Sequence, residues 1–147
     1  MRDQTLKLGI YITSFIGLVD SLYLTWVKLT HRVAFCGTYG GCETVNTSSF
    51  ASILGIPIAL FGAGAYLVIL ILLILENKGQ FWKENSPILV FGITLVGVLY
   101  SIYLTYIELA VLHAVCPYCV VSGIAMLVLF LLAILRLVRG QVEANPI

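Results

Sequence analysis

Four stretches of the chain, residues 8–29, 53–75, 87–107 and 116–138, stay apolar for the roughly 20 residues that a helix needs to cross a hydrocarbon core. Polar and glycine-rich positions gather between them, in a long loop at 30–52 and a shorter connector from Glu76 to Ser86. This pattern predicts an all-α integral membrane protein, a single four-helix bundle that fills the chain, with the long loop capping one end. Within the loop, the stretch from Val45 to Leu54 suits a short interfacial helix lying over the bundle. Pro57 suits the first turn of the second membrane helix, where a missing N–H costs little. Phe81 and Trp82 in the connector suit the headgroup belt.

Composition reinforces the bilayer as solvent. The 147 residues are 61% apolar and 10% charged, with a mean hydropathy of +1.06, which argues against a water-soluble globular domain. A net charge of +1 offers no footprint for nucleic acid. The first apolar segment is longer than a signal-peptide core and lacks a small-residue cleavage site, so it is expected to be retained. With the N-terminus in the cytoplasm, Arg2, Lys7, Lys78, Lys83, Arg136 and Arg139 fall inside and only Lys28 and Arg32 outside. This six-to-two split satisfies the positive-inside rule and predicts that both termini are cytoplasmic. All four cysteines then lie on the outer face, Cys36 and Cys42 in the long loop, Cys116 and Cys119 at the mouth of the fourth helix. Gathered on the oxidising side, they read as a disulfide system.

A quasi-repeat underlies the helix pattern. Residues 17–36 align without gaps on residues 97–116, and eight of the twenty positions are identical, including the shared Ser-x-Tyr-Leu-Thr and the final Cys36 and Cys116. The offset of 80 residues spans two crossings, so the first and third membrane helices run the same way and the bundle reads as two similar hairpins. Gly17 with Ser21, and Gly97 with Ser101, form a small-x-x-x-small pattern that lets helices approach closely in lipid.

Cys116-Pro-Tyr-Cys119 opens a helix with proline in its first turn. Free amides and the helix dipole there favour a thiolate, the form that carries out exchange. Soluble glutaredoxins carry the same four letters but place them after a strand, a context absent here. Cys36 and Cys42 are separated by five residues, three of them glycine, which predicts a pliable segment. One pair in a loop and one at the membrane suggest a relay by thiolate attack on disulfides, from a soluble dithiol to the loop pair and then to Cys116/Cys119. The simplest terminal acceptor at a lipid boundary is a quinone of the ubiquinone or menaquinone type. A four-cysteine metal site or a purely structural pair of disulfides is the non-enzymatic alternative, and the five-residue spacing fits a closed zinc site less well.

Taken together, Gly41-Cys42-Glu-Thr-Val-Asn46 running into a serine-containing stretch, Gly55-Ile-Pro57, and the late Cys116-Pro-Tyr-Cys119 make the chain resemble a bacterial homologue of vitamin K epoxide reductase. The likeness covers nearly all of residues 8 to 138. The disulfide bond formation protein B family does similar chemistry with the two pairs in the reverse order. The resemblance implies that Cys36 is attacked by the external dithiol, Cys42 exchanges with Cys116, and Cys119 faces the quinone. It also implies a functional hydroxyl near the quinone at Ser48, with Ser49 or Thr47 as alternative counterparts. A bacterial cytoplasmic membrane is the implied location. The electron donor is expected to be a separate thioredoxin-fold protein, because the thioredoxin-like domain fused in many relatives is not found before Ile147. Quinone or quinone-epoxide reduction as the physiological direction would use the same site.

Asp20 lies near the middle of the first helix, where an ionisable group is expected either to make a structural hydrogen bond or to serve as a proton path for quinone reduction. Glu108 and His113 are expected to be interface polar groups, with a proton relay as the alternative, and Tyr23, Tyr66, Tyr103 and Tyr106 packing or belt residues, with a hydrogen bond to a quinone carbonyl as the alternative for one of them. Asn46 reads as a turn or cap residue.

Overall fold

The computed structural model describes residues 2–37 and 41–144. In chain order they form α1 (Arg2–Leu29), a short α2 (Gly41–Thr47), a 3-10 turn at Ser49–Ala51, and an antiparallel hairpin of β1 (Ser52–Ile53) and β2 (Ile56–Pro57). Then follow α3 (Ile58–Leu75), α4 (Gln80–Ile107), a π-helical turn at Glu108–Leu112 and α5 (Pro117–Ala144). Among the described residues, α1, α3, α4 with its π-turn, and α5 are the four helices long and apolar enough to cross a membrane.

Several helix boundaries depart from the pattern of hydrophobic positions. α3 starts at Ile58 instead of 53, because Leu54 and Gly55 take φ of 52° and 82° and turn residues 52–57 into a hairpin. Pro57 therefore immediately precedes the helix and is not part of it. α4 starts at Gln80, seven residues before expected, so Pro87 lies inside it and removes one backbone hydrogen bond. The first turn forms because Gly79 is extended and Gln80 donates to Glu84 at 2.8 Å, which shortens the polar connector to residues 76–79. α1 and α5 likewise continue into their polar ends. The interfacial helix is α2, earlier than the expected Val45–Leu54, and it holds Cys42 in its first turn. The pliability expected between Cys36 and Cys42 falls partly on Thr38–Gly40, which lie outside the described residues.

The quasi-repeat is visible in the packing. Gly17 of α1 lies against the ring of Tyr66 in α3, and Gly97 of α4 lies against Met126 in α5, each so close that a Cβ would overlap. Ser21 packs on Gly62, and Ser101 on Gly123, in the same two hairpins. Thr25 donates to the Ser21 carbonyl at 2.8 Å and Thr105 to that of Ser101 at 2.9 Å, which satisfies both hydroxyls within their own helices. Since lipid is as apolar as a leucine side chain, close packing and polar contacts hold such helices together more than burial does. Tyr66 supplies both. Fully buried among Ile10, Ile69, Leu73 and Leu129, it donates to the Ser122 carbonyl at 2.9 Å.

An ion cluster closes the end of the bundle that carries both described termini. Glu76 is 5% exposed and takes two bonds from Arg136, at 2.7 and 2.6 Å, while Lys7 approaches the same carboxylate at 3.0 Å. Arg136 also donates to Asp3 at 3.0 Å, so α1, α5 and the residue after α3 are tied together. Burial opposes charge on Glu76, but the hydrogen bonds from Arg136 and Lys7 outweigh it and hold the carboxyl below its usual range.

Candidate active site

At the opposite end each hairpin delivers a cysteine pair. Cys36 is disulfide-bonded to Cys42, with Cα atoms 6.1 Å apart, and Cys116 and Cys119 are free thiols. Cys42 Sγ lies 3.5 Å from Cys116 Sγ. These two facing sulfurs are the buried ones, at 0% and 1% exposure, whereas Cys36 and Cys119 at the two ends of the row are partly exposed. All four predicted cysteines are thus brought together in the order Cys36, Cys42, Cys116, Cys119.

Local backbone needs explain why Cys42 and Cys116 meet. Gly41 opens α2 directly against the backbone of Val115, an approach that leaves no room for a Cβ. Cys116 precedes Pro117 and caps α5, its carbonyl accepting from Val120 at 3.1 Å. The Cys116 thiol is drawn below its usual range, first by a hydrogen bond from the Cys119 thiol and then by the amides of Cys119 and Tyr118, against burial and the charge of Glu108.

Three side chains hold the surrounding loop in place. Lys28, near the end of α1, donates to the carbonyls of Asn46 at 2.7 Å and Ala51 at 3.1 Å and pins α2 and the 3-10 turn over the bundle. Asn46, expected as a turn or cap residue, lies instead within α2 and is held there by its backbone carbonyl. Tyr118, inside the Cys116–Cys119 motif, donates to the Phe35 carbonyl at 2.8 Å, while the Phe35 N–H donates to the Tyr23 hydroxyl at 3.2 Å. The two tyrosine rings pack 5.1 Å apart. The residue before Cys36 is thereby clamped by its backbone, and its own side chain is 84% exposed.

Glu108 overturns the expectation of an interface polar group. It is 4% exposed, and its Oε2 accepts from the Cys116 N–H at 3.3 Å. Its carboxyl also interacts with the Cys119 thiol. The π-turn that begins at Glu108 sets this direction, ending at His113 with φ of 49° and closed by the Ala114 N–H on the Glu108 carbonyl at 3.0 Å. His113 itself is exposed, as expected for an interface residue.

Beside the thiols lies an apolar cavity of about 660 Å³ between the hairpins. Cys116, Cys119, Glu108 and Ser48 line it, together with Phe50, Phe61 and Met126. Of the three candidate hydroxyls, Ser48 is on the wall. Thr47 and Ser49 are exposed and off it, and the Thr47 hydroxyl is bonded to the Glu43 carbonyl. Asp20 is off the wall too, although its neighbour Ser21 is on it, and its buried Oδ2 has no hydrogen-bond partner. Among the described residues no three of His, Cys, Asp and Glu are placed to share a metal ion.

Sequence reasoning put Glu108 at the interface, with a proton relay second, and missed Lys28, Tyr118 and the loop-clamping part of Tyr23. A signal for Lys28 and Glu108 was present, since they are the same position of the repeat and carry opposite charges within otherwise apolar helix ends.

A free dithiol thus stacks on a disulfide at one end of four helices long and apolar enough to cross a membrane. The chain belongs to the Vitamin K epoxide reductase family, which it matches over residues 8–134. It is also similar to Thiol-disulfide oxidoreductase LTO1 of Arabidopsis thaliana, with 34% identity over 123 residues that cover 80% of this chain and 33% of that protein. The chain thus spans about a third of the length of that relative.

Proposed function

We propose that this protein carries electrons from a thioredoxin-fold protein dithiol through Cys36/Cys42 and Cys116/Cys119 to a membrane quinone, and so drives disulfide formation in exported proteins. The observation that carries the reading is the 3.5 Å separation between Cys42 and Cys116, which links the two pairs at their buried sulfurs.

The donor thiolate attacks Cys36, the sulfur of the loop disulfide that a protein can reach, and Cys42 leaves as a thiolate. A second donor thiol resolves the mixed disulfide, so the donor leaves oxidised and the loop pair reduced. Cys42 then attacks Cys116 of a Cys116–Cys119 disulfide, and Cys119 is released. Cys36 attacks Cys42, re-closing the loop disulfide and freeing Cys116. Closed loop disulfide and free Cys116 and Cys119 together correspond to the stage at which two electrons have reached the second pair. The lowering of the Cys116 thiol makes that sulfur the better leaving group when Cys36 attacks Cys42.

The cavity fits a quinone in size, since ligand pockets run from about 300 to 1,000 Å³, and in its apolar wall. Cys119 and Ser48 would face the ring, with Phe50, Phe61 and Met126 around it. A bound quinone supplies a two-electron, two-proton acceptor soluble in lipid. The Ser48 hydroxyl donates to the Val45 carbonyl at 2.7 Å and would have to turn from it to donate to a quinone oxygen, which can only accept. The lysine and arginine split supports an orientation with both termini cytoplasmic and the cysteine end outside, in a bacterial cytoplasmic membrane.

The test is to incubate purified protein with a reduced thioredoxin-fold partner and a ubiquinone or menaquinone analogue, following quinone absorbance. Quinol forms with wild type and is abolished by Cys119→Ala. Cys36→Ala blocks turnover with the protein donor but leaves reduction by a small dithiol measurable. Absence of quinol with wild type sinks the function, and equal loss with both donors overturns the relay order.

A further inference from the structure

Glu108 has no place in the relay above, yet it is the only carboxylate among the described residues that line the cavity. An acid at 4% exposure at a membrane helix end is costly unless it has partners, and such a group marks a functional site by default. Its partners here are the reacting groups themselves, the Cys116 N–H at 3.3 Å and the Cys119 thiol. The titratable groups facing it are those two thiols of α5, and Tyr100, one helical stretch earlier on α4, shares the wall. α1 and the α2 segment present Ser21, Asn46 and Ser48, which carry no charge.

We infer that Glu108 is the proton carrier of the second half-reaction, taking the Cys119 thiol proton as that sulfur is oxidised and passing it to the oxygen of the acceptor in the cavity. Oxidising Cys116 and Cys119 to their disulfide releases two electrons and two protons. A quinone takes up both electrons and both protons to become a quinol, so the balance closes with Glu108 returned to its starting state. Without a carrier, the thiol proton would have to leave through an apolar wall, since water has little to bind there. The inference rests on the proposed quinone reading, but it concerns which group moves the proton.

Glu108→Gln isolates that role. The glutamine carbonyl keeps an acceptor for the Cys116 N–H, so the positioning contact survives while the proton-carrying group is lost. Quinol formation is expected to fall on the order of 100-fold, the scale of a lost general acid–base group. Exchange between the two cysteine pairs, followed by thiol trapping without quinone, is expected to be no slower than in wild type, because losing the Glu108 charge favours the Cys116 thiolate. Glu108→Asp keeps a carboxyl and is expected to remain within about tenfold of wild type.

A second readout needs no quinone at all. In redox-difference infrared spectra of the quinone-free protein, oxidation of the Cys116/Cys119 pair is expected to change a carboxyl band that is missing in Glu108→Gln. A wild type that makes no quinol would overturn the proposed function itself. Quinol formation by Glu108→Gln at the wild-type rate, or a slowed variant without a Glu108-dependent infrared change in wild type, would overturn the carrier. If Glu108→Gln does not fold, the wild-type infrared difference and the Glu108→Asp rate decide the matter.

Discussion

Glu76→Gln keeps the side chain's shape and removes the charge that Arg136 and Lys7 share at the closed end of the bundle. In the wild type two bonds of 2.7 and 2.6 Å join Glu76 to Arg136, with side chains 0% and 7% exposed. The variant leaves the guanidinium with Asp3 as its remaining ion partner, at 3.0 Å and 56% exposed. Removing one member of a buried pair costs about 3–5 kcal/mol. The surviving exposed contact offsets up to about 1 kcal/mol of this. A net loss of about 2–4 kcal/mol is expected, read by unfolding the detergent-solubilised protein in a denaturant titration. The double variant Glu76→Gln/Arg136→Gln, with neither charge left, should recover part of the loss and give a coupling energy above about 1 kcal/mol. Acid sensitivity provides an independent check. The Glu76 carboxyl is held below its ordinary value of 4.5, so its contribution is complete above that pH and fades as pH falls through the lower folded-state value. Wild type should lose this increment on acidification below about pH 4.5, and Glu76→Gln should have none to lose. A single variant within about 0.5 kcal/mol of wild type, or a double variant equal to the sum of the singles, would refute the reasoning.

Three further outcomes follow from the geometry. In Cys36→Ser/Cys119→Ser, Cys42 and Cys116 remain 3.5 Å apart, and closing to a bond of about 2.05 Å takes a small side-chain movement, so mild oxidant should join them quantitatively. Peptide mapping that finds both thiols alkylated would contradict the junction. Gly17→Ala pushes into the Tyr66 ring, which its bond to Ser122 holds in place, whereas Gly97→Ala meets the flexible end of Met126. The first should cost about 1–3 kcal/mol and the second less, and equal losses would show that the two contacts do not differ in stiffness. Asp20→Asn should keep quinol formation within about threefold of wild type, because Asp20 is off the cavity wall, and a loss beyond tenfold would restore it to the proton path.

The four membrane helices were legible because a bilayer demands runs of apolar residues, and the two-hairpin plan because Gly17 and Gly97 each need a close neighbour. Helix ends were less so. Once past the lipid, polar residues extend a helix freely, as Arg2–Lys7 and Gln80–Ser86 do, and Leu54-Gly55 hides a turn inside an apolar run. The gathering of the cysteines at one end of the bundle could be read from their spacing and their places at helix ends. Their pairing across 3.5 Å could not, since it depends on Gly41 resting against Val115, a contact between residues far apart in the chain. Glu108 was misjudged for a related reason. Its burial comes from the π-turn, which rotates it inward, and the hydrophobic pattern carries no mark of such a turn.

Lys28 and Glu108 occupy one and the same rung of the two hairpins. Lys28 can only give hydrogen bonds and uses them to grip two carbonyls, while Glu108 in its ionised form can only receive them and takes an amide. Matching scaffolds have thus been made into unlike halves by one reversal of polarity, with a loop anchored on one side and a cavity wall on the other. A hybrid assembled from two copies of either half would keep its membrane-length helices but would have two anchored loops or two cavity walls, and each cysteine pair would face only its own likeness.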